Sequence, residues 1–212
     1  METNQENLWK LHCDLFSERQ MSKFLSQSPQ DKHQAIEAHT LNLRATSKYW
    51  PWLSLIEIGL RTALSTQLDK KQSAMGRDVH WTVDPNHLVR NRSSRSAKEL
   101  ENAKTNLRRR HKPVKPGYVM DELPLGFWTL LVSKRFKDLW PDLAEGFRGL
   151  ESRNPKELAE LLAFFKNFRN RIGHHHVIVF GDLEDADSKL LRLAHLIDPR
   201  LENYILSLDS DL

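Results

Sequence analysis

Apolar residues recur along most of this chain with the 3.6-residue period of an α-helix, not the two-residue alternation of a strand. The widest apolar arc lies between Tyr49 and Leu68. There Trp52, Leu53, Leu55, Ile56, Ile58, Gly59, Leu60, Ala63, Leu64 and Leu68 cover much of the circumference. A helix apolar over so wide an arc belongs at the centre of a fold. A second such stretch, Asp121 to Trp140, predicts another core helix starting near Pro124 and carrying Leu123, Leu125, Phe127, Trp128, Leu130, Leu131, Val132, Phe136 and Leu139. A third starts at Asn154-Pro155, presents Leu158, Leu161, Leu162, Phe164, Phe165 and Phe168, and is expected to end near Gly173, a residue suited to a helix C-terminus.

The remaining segments are weaker. Leu8 to Phe16 and Met21 to Leu25 have helical spacing and read as a short N-terminal arm over residues 1–27. Ser28-Pro29 restarts the chain, proline being favoured at the first helical position. Asp31 to Leu43 carries only sparse apolar positions, so it predicts a partly buried helix. Lys70 to Asn91, with Gly76 and Pro85, reads as a loop anchored by Trp81. Ser93 to Arg110 is a helix with a thin stripe of Ala97, Leu100, Ala103 and Leu107, and Lys112 to Gly117 is an extended linker. Pro141 starts a short helix to Leu150. Val177 to Phe180 is a short strand or an extended link, and two amphipathic helices, Ala186 to Leu196 and Pro199 to Leu208, follow. There are no repeats. The expected fold is all-α, a helical bundle with a single core over residues 28–212.

Charge changes this picture locally. The net charge is only +4. Yet between Arg90 and Lys115 stand Arg90, Arg92, Arg95, Lys98, Lys104, Arg108, Arg109, Arg110, Lys112 and Lys115, opposed in that stretch only by Glu99 and Glu101. The C-terminal segment is acidic, with Asp182, Glu184, Asp185, Asp187, Asp198, Glu202, Asp209 and Asp211. A basic block suggests a polyanionic partner, and a solvated helix face is the plainer alternative. No apolar run approaches the ~20 residues that span a bilayer, and Met1 to Asn7 lacks the marks of a signal peptide. The single cysteine, Cys13, cannot form an internal disulfide. A cytoplasmic protein with no membrane contact is the expectation.

Candidate chemistry concentrates in Phe168-Arg169-Asn170-Arg171-Ile172-Gly173-His174-His175-His176, where two guanidiniums, an amide and three imidazoles fall within nine residues. With Arg169 in the last helical turns, Asn170 lies beside it and His174 just past the helix end. A fixed cation, an amide and a titratable ring suit RNA cleavage without a metal or cofactor. A base takes the ribose 2′-OH proton, the oxygen attacks the adjacent phosphorus, and an acid protonates the departing 5′-oxygen. Arg169 would stabilise the charge that develops on phosphorus. One helix end offers one such set, so two copies across a two-fold axis would supply both acid and base. Three consecutive histidines also invite a zinc reading. Adjacent side chains diverge, however, and no His or Cys pair elsewhere has ligand spacing. His175 and His176 read as exposed turn residues, and Arg171 as a surface or dimer-contact residue. Glu57 and Arg61, one turn apart on the most apolar helix, read as a self-satisfied ion pair that could also orient a group on a neighbouring helix.

At these residues the sequence resembles the HEPN ribonuclease superfamily with its RxxxxH signature, most closely the Abi-like branch (AbiD/AbiF-type abortive infection). Arg169-Asn170-Arg171-Ile172-Gly173-His174-His175 is similar to the RNRxxHH stretch of that branch, and Glu57-Ile58-Gly59-Leu60-Arg61 to its E-x-x-L-R helix. Leu125-Gly126-Phe127-Trp128-Thr129-Leu130-Leu131 resembles its G-F-W-x-x-L-L segment, and Leu139-Trp140-Pro141 its Leu-Trp element. His176-Val177 stand where the family usually has Glu-Pro, and Thr62 where it often has Asn. The ordered set covers roughly residues 20 to 180. The resemblance implies a HEPN-like fold, a dimer-built active site and metal-free cleavage leaving a 2′,3′-cyclic phosphate, in phage defence or as a toxin. It gives Arg169 and His174 the catalytic roles and leaves Asn170, Glu57, Arg61 and His175 as supporting residues.

Three readings follow from the sequence. The first is a homodimeric endoribonuclease that cuts single-stranded or loop RNA, tracking the backbone through Arg90, Arg92, Arg95, Lys104, Arg108, Arg109 and Arg110; a toxin of this kind would also have an antitoxin protein as partner. The second is a non-catalytic module of the same fold that binds RNA or docks a protein. The third, a DNA-binding helical protein, has only the basic helix behind it.

Overall fold

The computed structural model describes residues 4–28 and 31–209, and of Asn4 and Asp209 the backbone alone. Met1, Glu2, Thr3, Pro29 and Asp211, which the sequence reading includes, lie outside the described residues, as does the Asp209 side chain. The fold is all-α, with no strand among the described residues. Its helices are α1 (Asn4–Phe16), α2 (Glu18–Leu25), α3 (Lys32–Ala74), α4 (Ser94–Arg109), α5 (Pro116–Glu122), α6 (Leu125–Leu131), α7 (Trp140–Ala144), α8 (Lys156–Gly173), α9 (Leu183–Ile197) and α10 (Pro199–Asp209). The chain packs as two compact units. One takes Met1–Leu53 with Asn167–Ser188, the other Ser54–Lys166 with Lys189–Leu212.

In the first unit, Phe24, Ala35 and Ala38 form a small core closed by Trp9, Leu25, Val177 and Val179. The phenol of Tyr49 donates to Asp187 Oδ1 at 2.6 Å, and Lys48 pairs with the other carboxylate oxygen at 2.7 Å. The Tyr49 ring meets Phe168 edge-on, with centroids 4.9 Å apart. The ring contact fixes the C-terminal end of α8, and the two bonds to Asp187 fix the start of α9, against the first unit's part of α3. On α1, Leu8, Leu11, Leu15 and Phe16 are exposed. Burial, together with nearby Glu18 and Asp14, pushes the Cys13 thiol up, away from the range of a reactive thiolate.

In the second unit, Trp81 anchors the loop after α3 as its aromatic character suggests. It is fully buried, stacks on Phe127, meets Trp128 edge-on, and donates its indole N–H to Ser65 Oγ at 3.0 Å. Asp84 ties the same loop together. Its carboxylate accepts from the Asn86 N–H at 2.7 Å, Gln72 Nε2 at 3.0 Å and Arg77 Nη1 at 2.9 Å. The Asn86 backbone bond, with Arg77 adding to it, holds that carboxyl below the usual range.

Several boundaries differ from the sequence pattern. The segments Asp31–Leu43 and Tyr49–Leu68 are one 43-residue helix that passes through Pro51 and reaches Ala74. A proline inside a helix costs about 3 kcal/mol. Here Pro51 is on the exposed side, while Tyr49, Trp52, Leu53 and Ile56 are buried. Burying four large side chains at roughly 2 kcal/mol each outweighs the break. The stretch Asp121–Trp140 is not one helix. The chain turns after Leu131, makes a short 3-10 turn at Lys134–Phe136 and starts α7 at Trp140. A single helix apolar on all sides could not face one core, whereas the broken path buries Phe127, Trp128, Leu131, Val132, Phe136 and Leu139 together. The linker expected over Lys112–Gly117 ends earlier, because Pro116 opens α5. The helix expected to reach Leu150 stops at Ala144, and the turns beyond it bond backbone to backbone with the end of α9: the Arg148 N–H donates to the Ile197 carbonyl and the Gly149 N–H to the Leu196 carbonyl.

Candidate functional site

Arg169, Asn170, His174 and His175 all stand at the C-terminal end of α8, within the first unit. Asn154 caps the start of this helix, its Oδ1 accepting from the Lys156 N–H at 3.0 Å, and Phe165, Phe168 and Ile172 bury its apolar face. The helix ends in two nested bonds: the His176 N–H donates to the Arg171 carbonyl at 2.8 Å and the His175 N–H to the Ile172 carbonyl at 3.0 Å. This is the Schellman pattern, which requires a left-handed residue at the first position outside the helix. Gly173 does not take that role. It sits within the last turn, and His175 adopts φ of 55° instead.

The consequence is positional. Gly173, lacking a side chain, leaves space beside Arg169, whose Nη1 lies 3.6 Å from where a Cβ would stand. Arg169 and Asn170 are half-buried, and His174, His175 and His176 are exposed. The His174 N–H donates to the Asn170 carbonyl at 3.0 Å, so the two residues share one turn. The ring of His174 lies 6.1 Å from that of His176, and His175 between them has a left-handed backbone. The His175 carbonyl accepts from Gln20 Nε2 of α2 at 3.2 Å. Among the described residues, no three His, Cys, Asp or Glu side chains converge as a metal-binding group.

Val177 to Phe180 is a link, not a strand, and one residue missed by the sequence reading holds it. Asn42 on α3 is buried, and its Oδ1 accepts the N–H groups of Ile178 at 2.7 Å and Val179 at 3.2 Å. The only signal in the sequence is a lone asparagine between apolar positions, which says nothing about its partner. Arg171 reaches over the same link and donates to the Val177 carbonyl.

Glu57 and Arg61 lie in the second unit, on α3. They form the expected ion pair, with Glu57 9% exposed. Arg61 Nε is buried with no hydrogen-bond partner among the described residues, and the side chain borders a cleft of about 390 Å³ with Asp69, Lys70 and His80. Burial holds the His80 ring below the usual histidine range, with Asp69 opposing that effect.

The basic block, also in the second unit, is less bare than its sequence. Arg92 pairs with Asp138 at 2.6 Å and Arg95 with Glu99 at 3.0 Å, while Arg110 pairs with Glu122. Lys104 is 5% exposed and bound to Glu101 at 2.8 Å, which takes it off the exposed face of α4. Arg90 is exposed and donates to the Pro85 carbonyl at 3.0 Å. Arg108 and Arg109 are exposed and meet no carboxylate among the described residues. Asp138 and Glu122 lie outside the basic segment, so a charge count along that segment could not include them. No helix among the described residues is long and apolar enough to cross a membrane. No protein-family model, curated protein or solved structure matches this chain.

Proposed function

We propose that the chain is a metal-independent endoribonuclease acting on single-stranded or loop RNA, with a HEPN-like site completed across a homodimer. The observation that carries this reading is the end of α8, where a part-exposed guanidinium, an amide and an exposed imidazole share the last turn and the residue beyond it. In this reading His174 of one copy takes the proton from the 2′-OH. The oxygen attacks phosphorus, Arg169 stabilises the charge on the non-bridging oxygens, and His174 of the second copy gives a proton to the departing 5′-oxygen. The products are a 2′,3′-cyclic phosphate and a 5′-hydroxyl. Asn170 holds the turn that carries His174, and Arg90, Arg108 and Arg109 supply cations for the RNA backbone.

The test is incubation of the purified protein with total RNA in EDTA, beside the Arg169→Ala/His174→Ala double variant. Fragments ending in 2′,3′-cyclic phosphate are expected from the wild type alone. Equal cleavage by the double variant would remove both residues from the mechanism. The exposed pair Arg108 and Arg109, which needs no chemistry at α8, favours the second reading, a non-catalytic RNA-binding module. Salt-sensitive RNA binding with no turnover by a wild-type dimer would select it.

A further inference from the structure

We propose that an open cleft beside the link after α8 is a nucleotide-binding site, holding a phosphate on Lys23 and Arg171 and a base against Phe180. The cleft has a volume of about 680 Å³ and lies wholly within the first unit. That is the size of a small-ligand pocket. The inference uses neither Arg169 nor His174 and stands whether or not the chain cuts RNA.

The charges argue for an anion. Lys23, Arg171 and His176 line the cleft, and among the described residues no carboxylate does. Lys23 donates to the amide oxygen of Gln20 at 2.7 Å, and Arg171 to the Val177 carbonyl. Both acceptors are neutral, so neither bond balances a cation with an anion, and neither side chain meets a carboxylate among the described residues. This is the reverse of α4, where Arg95 and Lys104 each have an acidic partner. Asp182, next to the cleft residue Gly181, is engaged in capping α9, its Oδ1 accepting from the Asp185 N–H at 2.9 Å.

The cleft is also held in shape before any ligand arrives. Arg171 is part of the Schellman turn, and the link it reaches across is pinned by Asn42. Its guanidinium spends one Nη2 bond on the link and keeps donors for a ligand. Phe180 is 44% exposed, and its ring lies 6.3 Å from that of Phe24. It is thus propped by the small core while part of its surface stays open, as an aromatic platform for a base must be. The nucleotide could be free or a unit of an RNA strand, and the chemistry recognised is the same.

The experiment titrates the full chain, carrying His174→Ala so that no strand is cut, and follows the Val177 and Gly181 amide signals by NMR. The probes are AMP, adenosine, inorganic phosphate and an octa-adenylate RNA. Lys23→Gln and Phe180→Ala are the variants, both at exposed positions, with a thermal melt to verify folding. AMP is expected to bind more tightly than adenosine or phosphate. Lys23→Gln should weaken AMP and phosphate at least fivefold and leave adenosine unchanged, whereas Phe180→Ala should weaken AMP and adenosine only. The same variant pattern with the octamer assigns the site to an RNA strand, and the pattern with AMP alone assigns it to a free nucleotide. The inference is overturned if neither AMP nor the octamer shifts these amides, or if both variants bind them like the parent.

Discussion

His175 carries the left-handed turn that ends α8, where glycine would sit without cost. A histidine there has its Cβ close to the following carbonyl, a penalty of about 1 kcal/mol. His175→Gly is therefore expected to stabilise the fold by up to about 1 kcal/mol, read as a melting temperature about 2–4 °C higher. On the ribonuclease proposal, cleavage of RNA by this variant should stay close to that of the parent, because His174 keeps its place on the turn. A loss of stability would mean that the imidazole makes a contact worth more than the backbone strain.

At the scale of elements, the second unit contains a close approach between backbones. A Cβ on Gly149 would lie 2.0 Å from the carbonyl oxygen of His195 in α9, closer than atoms can stand. The Gly149 N–H also bonds to the neighbouring Leu196 carbonyl. The turn cannot retreat without breaking that bond. Gly149→Ala is expected to cost more than about 4 kcal/mol in urea unfolding, the range of severe overpacking. The loop between α3 and α4 is expected to lose stability in acid. Burial holds the His87 imidazole below its usual range, with Lys104 and Arg90 disfavouring its charged form and Glu101 and Asp84 opposing them. A base depressed in the folded state stabilises the fold above its unfolded pKa, near 6.5, and loses that stabilisation as the pH falls below it. Asp84, also depressed, adds a second loss as the pH drops below the ordinary carboxylate range, where the unfolded chain binds a proton that the folded one resists. Stability by urea unfolding should therefore fall from pH 8 to pH 5 and again below pH 4, and His87→Gln should reduce the first step, to which the depressed His80 also contributes, and leave the second in place.

At the scale of the whole molecule, the basic segment contributes less net charge than its ten cations suggest, because four of them face carboxylates in the second unit. On the proposal that the chain binds RNA, the affinity should then depend on salt mainly through the residues of this segment that face no carboxylate. For a single strand the slope of log K against log salt changes by about 0.7 for each phosphate that the protein neutralises. The double variant Arg108→Gln/Arg109→Gln should reduce its magnitude by about 1.4 in a fluorescence-anisotropy salt series. Arg92→Gln and Arg95→Gln should leave it nearly unchanged. Equal effects at all four positions would show that an RNA phosphate displaces Asp138 and Glu99 without measurable cost.

The all-α class, the helix starts at Ser93 and Asn154 and the grouping of Arg169, Asn170 and His174 at one helix end were all legible in the sequence, because each depends on residues near one another in the chain. Helical period, cap chemistry and i to i+4 spacing are local properties. What only the tertiary structure decided depends on distant partners. The continuation of α3 through Pro51 and the breaking of the Asp121–Trp140 stretch turn on which side chains a core can accept. Asn42 acquires its task from amides 136 and 137 residues away, and Asp138 acquires its own by meeting Arg92. The division of the candidate residues follows the same rule: the Arg169–His174 turn was set by adjacency, while the cleft of Lys23, Arg171 and Phe180 exists only because the link after α8 folds back beside α2.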